Sequence, residues 1–478
     1  MSLKFYNTLT RSLVPFRPLE AGKVRSYACC TTVYPHAQLW NLRIFNALEI
    51  LNLYLECKVF EVTFVRNFTD VYDKNIAGAN AAGMTIAEFT PRFADEILQQ
   101  ERLLGIRPVD AYPRATDYID EMVEWVRRLE ERGLAYATDD GSVWFSISKC
   151  PDYGKLSRID PDAVKPGDRV ANDEYEKDDI RDFALWKAAK PEDEAAAAAW
   201  DSPWGRGRPG WHLECSVMSI TELGETLDIH LGGEDLVFPH HEDEIAQSEG
   251  VTGKPFAHYW LHVKHLLVEG QKMSKSLGNT YTVPQLMEMG HSAASIRHQL
   301  LSAQYRRELN FTLDGLEASA RAVQRLVDFR DRLRELSGPE GAEASALPEL
   351  AREALAGFEA AMDDDLNSAE ALGAVFTFLN RVNAELDRTD GAVSAGDRDS
   401  ALDALAAIDQ VLGLLEVADA ERTVDDDLAL WVESMIQPRV EARAARDFAR
   451  ADAIRDELAE KGVVLEDSAE GTRWKIVR

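Results

Sequence analysis

Hydrophobic and polar positions follow two different periods in the N-terminal part of the chain. β-Branched and aromatic residues from Val24 to Tyr34 predict a strand, and apolar positions at helical spacing from about Leu39 to Leu53 predict a helix. A second strand is predicted from Val59 to Asn67. A strand, a helix and a strand at this spacing form a βαβ unit, whose two strands run parallel in one sheet. The pattern therefore predicts an α/β fold for this part of the chain.

The α/β pattern is interrupted before it returns. Amphipathic helices are predicted over 84–133, separated by Pro108 and Pro113, and the alanine-rich segment 190–209 is typical of an insertion or its exit. Strand patterns return at two later segments, 226–230 and 258–268. The first part of the chain therefore predicts a split α/β domain.

The rest of the chain is predominantly helical from about Val283. The glycine- and proline-containing segment 337–341 is the clearest linker. The C-terminal piece predicts one helix with four arginines, followed by two short strands: Arg443, Arg446, Arg450 and Arg455, then 462–465 and 472–477. We therefore expect a helical region and a small terminal module after the α/β domain.

Composition excludes several classes of protein. The chain has 478 residues, of which 45% are hydrophobic and 28% charged, as in globular rather than disordered or fibrous proteins. No apolar run approaches the ~20 residues that a membrane helix needs, and no secretory signal pattern is visible at the N-terminus. Five cysteines are too few for a disulfide scaffold, so we expect a reducing, cytoplasmic location.

The net charge of −30 at first argues against a nucleic-acid partner, because phosphate binding needs local positive potential. The charge is unevenly distributed. Residues 340–427 contain 22 acidic and five basic residues, whereas 297–335 carry a net charge of +2 and 439–478 are neutral. The two flanking stretches could therefore still contact a polyanion.

A possible metal site is spread over three segments. His240 and Glu244 are four positions apart, so a helix presents both on one face. With Cys215 and Cys29 they would supply two thiolates, an imidazole and a carboxylate, which is a tetrahedral zinc set. Buried structural cysteines and a solvated helix face would give the same pattern. A zinc protease is excluded because the HExxH pattern needs histidine where Ile245 stands.

A polar loop with two lysines follows the second strand region. Its sequence QKMSKSLGN contains Lys272 and Lys275. Mobile ammonium groups suit a pyrophosphate that develops in a transition state, where charge stabilisation raises the rate. A solvated turn is the alternative interpretation, although the string KMSKS is quite specific after an α/β domain.

Six segments share their residues with one known family. They are 5–10 (FYNTLT), 66–70 (RNFTD), 207–215 (GRPGWHLEC), the segment around His240, the KMSKS loop and 464–467 (VLED). In this order they resemble the class I aminoacyl-tRNA synthetases, and most closely the cysteinyl-tRNA synthetases. The resemblance implies an α/β fold with a Rossmann-like parallel-sheet catalytic domain and an insertion, followed by an all-α bundle and a small C-terminal module.

The same resemblance implies six regions. They are 1–115, the first half of the catalytic domain; 116–205, a connective insertion; 206–296, the second half with the zinc ligands and the KMSKS loop; 297–338, a stem-contact helical region; 339–424, a helical bundle; and 425–478, a module that resembles an anticodon-binding domain.

The resemblance also implies roles for individual residues. A zinc ion that binds the substrate cysteine would be held by Cys29, Cys215, His240 and Glu244. The amino-acid pocket would include Thr32, Trp211 and His212, and the catalytic lysines would be Lys272 and Lys275. ATP with Mg²⁺ would be the co-substrate and tRNA the acceptor. The residues facing tRNA would be Tyr305, Arg306, Arg307, Arg321, Arg325, Arg330, Arg332 and Arg334.

The sequence departs from the family on the nucleotide side. The family's HIGH motif falls on Gln38-Leu39-Trp40-Asn41, and an indole replaces the glycine that lets the nucleotide approach a helix start. Further changes surround the adenylate position, including Leu231 in a glycine-rich run and Lys264 in place of glycine. The nucleotide-site residues are Gln38, Trp40, Asn41, Gly233, Asp235 and Lys264. We therefore expect a retained thiol site beside a remodelled nucleotide site.

Three hypotheses remain open at this point. The first is a cysteine–tRNA ligase whose ATP shifts to accommodate Trp40. The second is a paralogue that joins cysteine or a related thiol to an acceptor other than tRNA. The third is a non-catalytic tRNA binder, which the arginines of the helical half would favour.

Overall fold

The computed structural model describes the backbone of residues 2–29, 37–159, 182–273, 277–338, 345–444, 447–460, 463–468 and 471–476. No helix in these ranges is long and apolar enough to cross a membrane. The α/β part contains β1 (Lys4–Asn7), β2 (Ser12–Pro15), β3 (Lys23–Ala28), α1 (Leu39–Cys57), β4 (Glu61–Arg66), α2 (Asp73–Ala82), α3 (Ile86–Phe89), α4 (Pro91–Leu103), α5 (Ile119–Glu131), β5 (Ala135–Ala137), β6 (Val143–Phe145), β7 (Phe183–Ala188), α6 (Pro191–Ala195), β8 (Gly207–Pro209), α7 (Trp211–Leu223), β9 (Leu227–Gly233), α8 (Glu242–Thr252), β10 (Ala257–Val263), β11 (Leu266–Val268) and β12 (Gln271–Lys272).

The remaining elements are mainly helices. They are α9 (Val283–Glu288), α10 (Ala293–Leu301), β13 (Leu309–Phe311), α11 (Leu313–Glu335), α12 (Leu347–Asp363), α13 (Ser368–Arg388), α14 (Ala395–Leu412), α15 (Leu414–Ala444), α16 (Phe448–Glu460), β14 (Val463–Ser468) and β15 (Gly471–Ile476).

A four-stranded parallel sheet in the order β10, β9, β3, β4 forms the centre of the α/β part. The predicted βαβ unit is confirmed, since β3 pairs with β4 and α1 connects them. Strand β3 ends at Ala28, and the later part of the predicted strand, 30–34, lies outside the described residues. The strand order reverses between β3 and β9, and ligands bind at such a switch point beyond the carboxyl ends of the strands.

The strand pattern predicted at 258–268 is confirmed, but it covers two strands that belong to different sheets. Strand β10 belongs to the central sheet, whereas β11 pairs with β12 and β13 in a separate three-stranded sheet. The backbone leaves the central sheet because the Lys264 N–H donates to the carbonyl of Tyr305 at 2.8 Å and the His265 N–H donates to Glu234 Oε1 at 2.9 Å. A further antiparallel sheet, β5 to β8, lies within residues 135–209.

The helical part packs onto the α/β part through a continuous buried core, which extends from β1 to the start of α15. The single helix predicted for the C-terminal arginines is instead two helices, α15 and α16. Asp447 separates them because its Oδ1 caps α16 by accepting the Arg450 N–H at 3.1 Å. A second, small core of Val432, Ile454 and Leu458 lies between the two helices.

Candidate active site

Four donor atoms from distant parts of the chain meet in one buried place. Cys29 follows β3, where its N–H donates to the carbonyl of Leu231 on β9 at 3.0 Å. Cys215 lies on α7, His240 lies two residues before α8, and Glu244 lies in the first turn of α8. The ligand atoms of these four residues lie within 4.8 Å of one another, and all four side chains are buried.

The donor set and its spacing fit a tetrahedral zinc ion. Cys29 Sγ lies 2.9 Å from Glu244 Oε1 and 3.5 Å from His240 Nε2, and His240 Nε2 lies 2.9 Å from Glu244 Oε1. Two sulfurs, one imidazole nitrogen and one carboxylate oxygen are ligands that zinc accepts in tetrahedral geometry. We call these four residues, with His212, the thiol side of the crevice.

The protonation of these groups reflects their mutual contacts. Burial alone would lower the pKa of His240, but the Glu244 carboxylate and the Cys215 thiol outweigh it and raise this pKa to about 10. Burial would raise the pKa of Cys215, but hydrogen bonds with Cys29 and His240 lower it to about 7. Burial, Cys215 and Glu244 together raise the pKa of Cys29. A metal ion that enters the site must therefore displace protons.

A second set of contacts orients the ligands. His212 Nδ1 lies 2.8 Å from His240 Nδ1, so Nε2 of His240 faces the other donors. His212 Nε2 lies 3.4 Å from Asp243 Oδ2, and the Tyr153 hydroxyl donates to the same carboxylate. Hydrogen bonds of this kind fix the tautomer and the ring orientation of a ligating histidine.

Two further histidines lie behind Glu244. His230 Nε2 is 2.8 Å from Glu244 Oε2. A second possible set of metal ligands therefore consists of Cys29, His230, His241 and Glu244. His241 Nδ1 is paired with His262 Nε2 at 2.8 Å. We favour the set with Cys215 because a second sulfur suits zinc and because His230 already supports Glu244 through its outer oxygen.

Trp211 and His212 lie beside the candidate metal ligands, as the resemblance implies. The Trp211 ring lies 4.5 Å from the His240 ring, and the Tyr72 ring lies 5.3 Å from the Trp211 ring. The aromatic rings form a wall next to the donor atoms, and such a wall can cover a small substrate. Thr32, the third expected pocket residue, lies outside the described residues.

On the nucleotide side the indole of Trp40 lies against the end of β9. A Cβ atom at Gly233 would be 2.9 Å from Trp40 Cζ2 and 2.3 Å from Asp235 Oδ1, so only glycine fits there. Gln38 and Asn41 close the start of α1, where the Gln38 N–H donates to Asn41 Oδ1 at 3.1 Å. Four of the expected nucleotide-site residues therefore crowd the start of α1 or the end of β9, and Asp235 follows β9 by two positions.

The sixth expected residue, Lys264, belongs to a small cluster that the sequence reasoning did not find. Its Nζ lies 2.7 Å from Glu234 Oε2, and the His265 ring lies 5.2 Å from the Trp40 ring. Glu234 and His265 follow β9 and β10 within two positions. Their positions at the carboxyl ends of parallel strands are the signal that could have identified them. Trp40, Gly233, Glu234, Lys264 and His265 are the nucleotide side below.

Of the KMSKS residues the structure describes Lys272 and Met273, and the described chain resumes at Leu277. Lys272 ends β12 and is exposed, and Asn279 Nδ2 donates to its carbonyl at 3.2 Å. The Leu39 N–H donates to the carbonyl of Tyr281 at 3.2 Å, which ties the segment after the loop to the start of α1. Lys275 lies outside the described residues.

The eight residues expected to face tRNA have three different environments. Tyr305 and Arg330 are buried, and Arg330 pairs with Asp419 at 2.5 Å, so neither forms an open surface and the expectation for them is wrong. Arg332 pairs with Asp387 of α13. Arg306 is half-buried and pairs with Asp365 at 2.5 Å. Four arginines remain exposed: Arg307, Arg321, Arg325 and Arg334.

The parallel sheet with its switch point and the buried cluster of Cys29, Cys215, His240 and Glu244 agree with a class I aminoacyl-tRNA synthetase. The family model described as tRNA synthetases class I (C) catalytic domain matches residues 15–321. The models for the DALR domain and for the Cysteinyl-tRNA ligase anticodon binding domain match 357–416 and 425–474. The chain belongs to the cysteinyl-tRNA synthetase family.

Full-length relatives and solved structures agree with this membership. A cysteine–tRNA ligase of Koribacter versatilis is 44% identical, covering 99% of this chain and 100% of the relative. One of Thermococcus onnurineus is 42% identical and covers 99% of each. The Mycobacterium tuberculosis methionyl-tRNA synthetase in complex with methionyl-adenylate matches with a TM-score of 0.58 at 16% identity, covering 82% of this chain and 90% of that chain. At this identity the structural match shows the fold alone.

Proposed function

We propose that this protein binds cysteine through zinc and activates it with ATP for transfer to tRNA. The observation that carries the proposal is the convergence of the Cys29, Cys215, His240 and Glu244 donor atoms, with the Trp211 ring against His240. Its relatives at more than 40% identity over their full length are cysteine–tRNA ligases, which supports the same reaction.

Zinc bound at this donor set would lower the pKa of a substrate thiol and would favour sulfur over the hydroxyl of serine. The chain's own residues position this chemistry. His212 holds His240 through Nδ1, and His230 holds the outer oxygen of Glu244. The Trp211 ring packs against the His240 ring beside the donor atoms.

Activation joins the cysteine carboxylate to the α-phosphate of ATP, with pyrophosphate as the leaving group. Lys272, with Lys275, would neutralise the charge that develops on pyrophosphate, where positioned cations act most strongly. The activated acyl group then passes to the terminal ribose of tRNA and AMP is released. We assign the tRNA contacts to the exposed arginines of 297–338 and to the C-terminal module, 425–478.

Cysteine-dependent exchange between ATP and labelled pyrophosphate tests the activation step. We expect exchange with cysteine but not with serine in zinc-loaded protein. The variant Cys215→Ser should abolish it, whereas Cys57→Ser, at an exposed cysteine remote from the site, should not. Absence of exchange in zinc-loaded wild-type protein would refute the proposal.

A second candidate function rests on the indole of Trp40, which lies where a glycine leaves space in the family. In this reading the protein joins cysteine or a related thiol to an acceptor other than tRNA. A wild-type protein that does not charge tRNA, together with a Trp40→Gly, Gln38→His double variant that does, would support it. Efficient charging by the wild type would remove the need for it. Binding of tRNA without any turnover, lost at high salt, would identify a non-catalytic tRNA binder instead.

A further inference from the structure

The corner between α12 and α13 has an unusual backbone. Asp365 and Leu366 have φ values of +64° and +53°, a left-handed conformation that costs free energy for residues other than glycine. Asp365 is also 1% exposed, so a carboxylate is buried at this corner. Strain of this kind persists only when the surrounding contacts enforce it, and it is frequently associated with function.

The Asp365 carboxylate accepts four hydrogen bonds from two other parts of the chain. Oδ1 accepts the Tyr6 N–H of β1 and the Tyr305 hydroxyl, each at 2.7 Å. Oδ2 accepts Gln304 Nε2 at 2.9 Å and Arg306 Nε at 2.5 Å. The Asp365 N–H donates to the carbonyl of Lys4 at 3.1 Å. The four acceptor positions of the carboxylate are therefore used.

Three of these donors belong to the segment 304–307, which we call the connecting loop because it joins α10 to β13. The opposite side of this loop is held by Arg43 of α1. The Arg43 guanidinium donates to the carbonyls of Arg307 and, at 3.0 Å, of His265. Burial lowers the pKa of Arg43 to about 10, still far above neutrality, so the group stays charged.

The connecting loop also contacts the nucleotide side directly. The carbonyl of Tyr305 accepts the Lys264 N–H at 2.8 Å, and the Leu309 N–H donates to the carbonyl of His265 at 3.4 Å. Strand β13, which begins directly after the loop, pairs with β11, and β11 pairs with β12, where Lys272 lies. One short loop thus fixes the backbone of Lys264 and His265 and leads into the sheet that carries Lys272.

We propose that Asp365 is a positioning residue for the nucleotide half of the activation site. It lies in the helical bundle, but through the connecting loop it sets the positions of Lys264, His265 and Lys272. The described contacts of Asp365 reach none of the thiol-side residues. The kinetic effect expected from this assignment rests on the proposed function. The chain of contacts from Asp365 through the connecting loop to Lys264 does not depend on it.

The sharpest variant is Asp365→Asn. Asparagine tolerates the left-handed backbone, and it keeps the shape of the side chain. Its amide nitrogen, however, must face two donors where a carboxylate oxygen now accepts both. The variant therefore tests the four hydrogen bonds rather than the corner itself. Asp364→Asn, at the exposed neighbouring residue, is the matched control.

The kinetic experiment measures KM for ATP and KM for cysteine in the exchange reaction. Because hydrogen bonds to a charged group are worth about 1.5–3 kcal/mol, we expect Asp365→Asn to raise KM for ATP by about tenfold or more. KM for cysteine and the zinc content should stay at wild-type values, and Asp364→Asn should change neither. Equal rises in both KM values would overturn the proposal, because they would indicate general loosening.

Hydrogen exchange of the full-length variant gives a readout that needs no activity. We expect faster exchange at the amides of Lys264, Arg307 and Leu309, with unchanged protection of α7 and α8. Faster exchange confined to 361–370 would overturn the proposal even if the protein were active. If Asp365→Asn does not fold, Tyr305→Phe removes one of the four hydrogen bonds and should give a smaller change in the same direction.

The two experiments separate the two proposals. An inactive wild-type protein refutes the proposed function, while the exchange pattern at Lys264 still decides the link to Asp365. Conversely, an active wild type with an unchanged KM for ATP in both variants refutes the positioning role and leaves the proposed function intact.

Discussion

The thiol side and the nucleotide side lie at the same edge of one parallel sheet, yet their side chains are organised differently. On the thiol side four donor atoms converge within 4.8 Å, and a partner holds His240 on its outer nitrogen. On the nucleotide side the Trp40 indole fills the space next to Gly233, and Glu234 neutralises Lys264. The donor groups of the first side are all buried, whereas Lys264 and His265 of the second side are partly exposed. The two sides therefore differ in burial as well as in the chemistry of their side chains.

The largest expected effect is a loss of zinc affinity when a ligand on the thiol side is replaced. Replacing Cys215 by serine removes one of two sulfur donors, so zinc affinity should fall by more than the roughly 100-fold that loss of an outer partner costs. Zinc content after equilibration with a chelator measures this change. ATP binding should stay the same, because the described contacts of Cys215 do not include the nucleotide side. A parallel loss of ATP affinity would show that the two sides are one cooperative unit.

The pH dependence of zinc binding sharpens the description of the thiol side. The pKa of His240 is about 10 and that of Cys215 about 7, so both groups lose a proton when they bind zinc. Affinity should therefore rise with pH, by roughly tenfold per pH unit for each displaced proton. The pKa of Cys29 is raised by burial, so we expect at least two protons released per zinc between about pH 7 and 9, from His240 and Cys29, and a third from Cys215 below about pH 7. Calorimetry in buffers of different ionisation enthalpy counts them, and a pH-independent affinity would contradict this account.

The next largest expected effect is a change in ATP affinity at the nucleotide side. Trp40→Gly removes the indole next to Gly233 and opens the start of α1, where phosphates bind well. We expect the dissociation constant for ATP, measured by calorimetry, to fall by about tenfold, which corresponds to ~1.4 kcal/mol. Zinc content should not change. Trp40→Phe keeps an aromatic ring and serves as the control. An unchanged dissociation constant in the glycine variant would show that the indole does not obstruct the nucleotide.

The sequence predicted those parts of the molecule that depend on local pattern. The βαβ unit follows from periodicity between Val24 and Asn67. The set of Cys29, Cys215, His240 and Glu244 follows from the resemblance to the family. The parts that the sequence did not predict depend on contacts between distant segments. The break after β10 requires a carbonyl from the connecting loop, and the Asp419 partner of Arg330 lies on another helix. Neither leaves a trace in the neighbouring sequence, so both became visible only in the structure.

The smallest expected effect distinguishes two causes of weak ATP binding at the nucleotide side. One is obstruction by the Trp40 indole, and the other is a low stability of α1. Val59 follows the end of α1 with φ of +66° and is 87% exposed, so a β-branched residue occupies a left-handed position without any packing that compensates it. The Phe60 N–H donates to the carbonyl of Leu55 at 3.1 Å, the bond that normally follows a glycine at this position.

Val59→Gly should therefore stabilise α1. Glycine removes the left-handed cost of about 1–2 kcal/mol. Its extra freedom in the unfolded chain costs about 0.5–1 kcal/mol. We therefore expect the free energy of unfolding to rise by about 0.5–1 kcal/mol. Denaturant unfolding measures the gain, with Val59→Ala as the control that keeps a Cβ atom. If the Trp40 indole obstructs the nucleotide, ATP binding stays at the wild-type value, because Val59 and Trp40 lie at opposite ends of the helix. A tighter ATP complex in Val59→Gly would instead assign the difference between the two sides to the stability of α1.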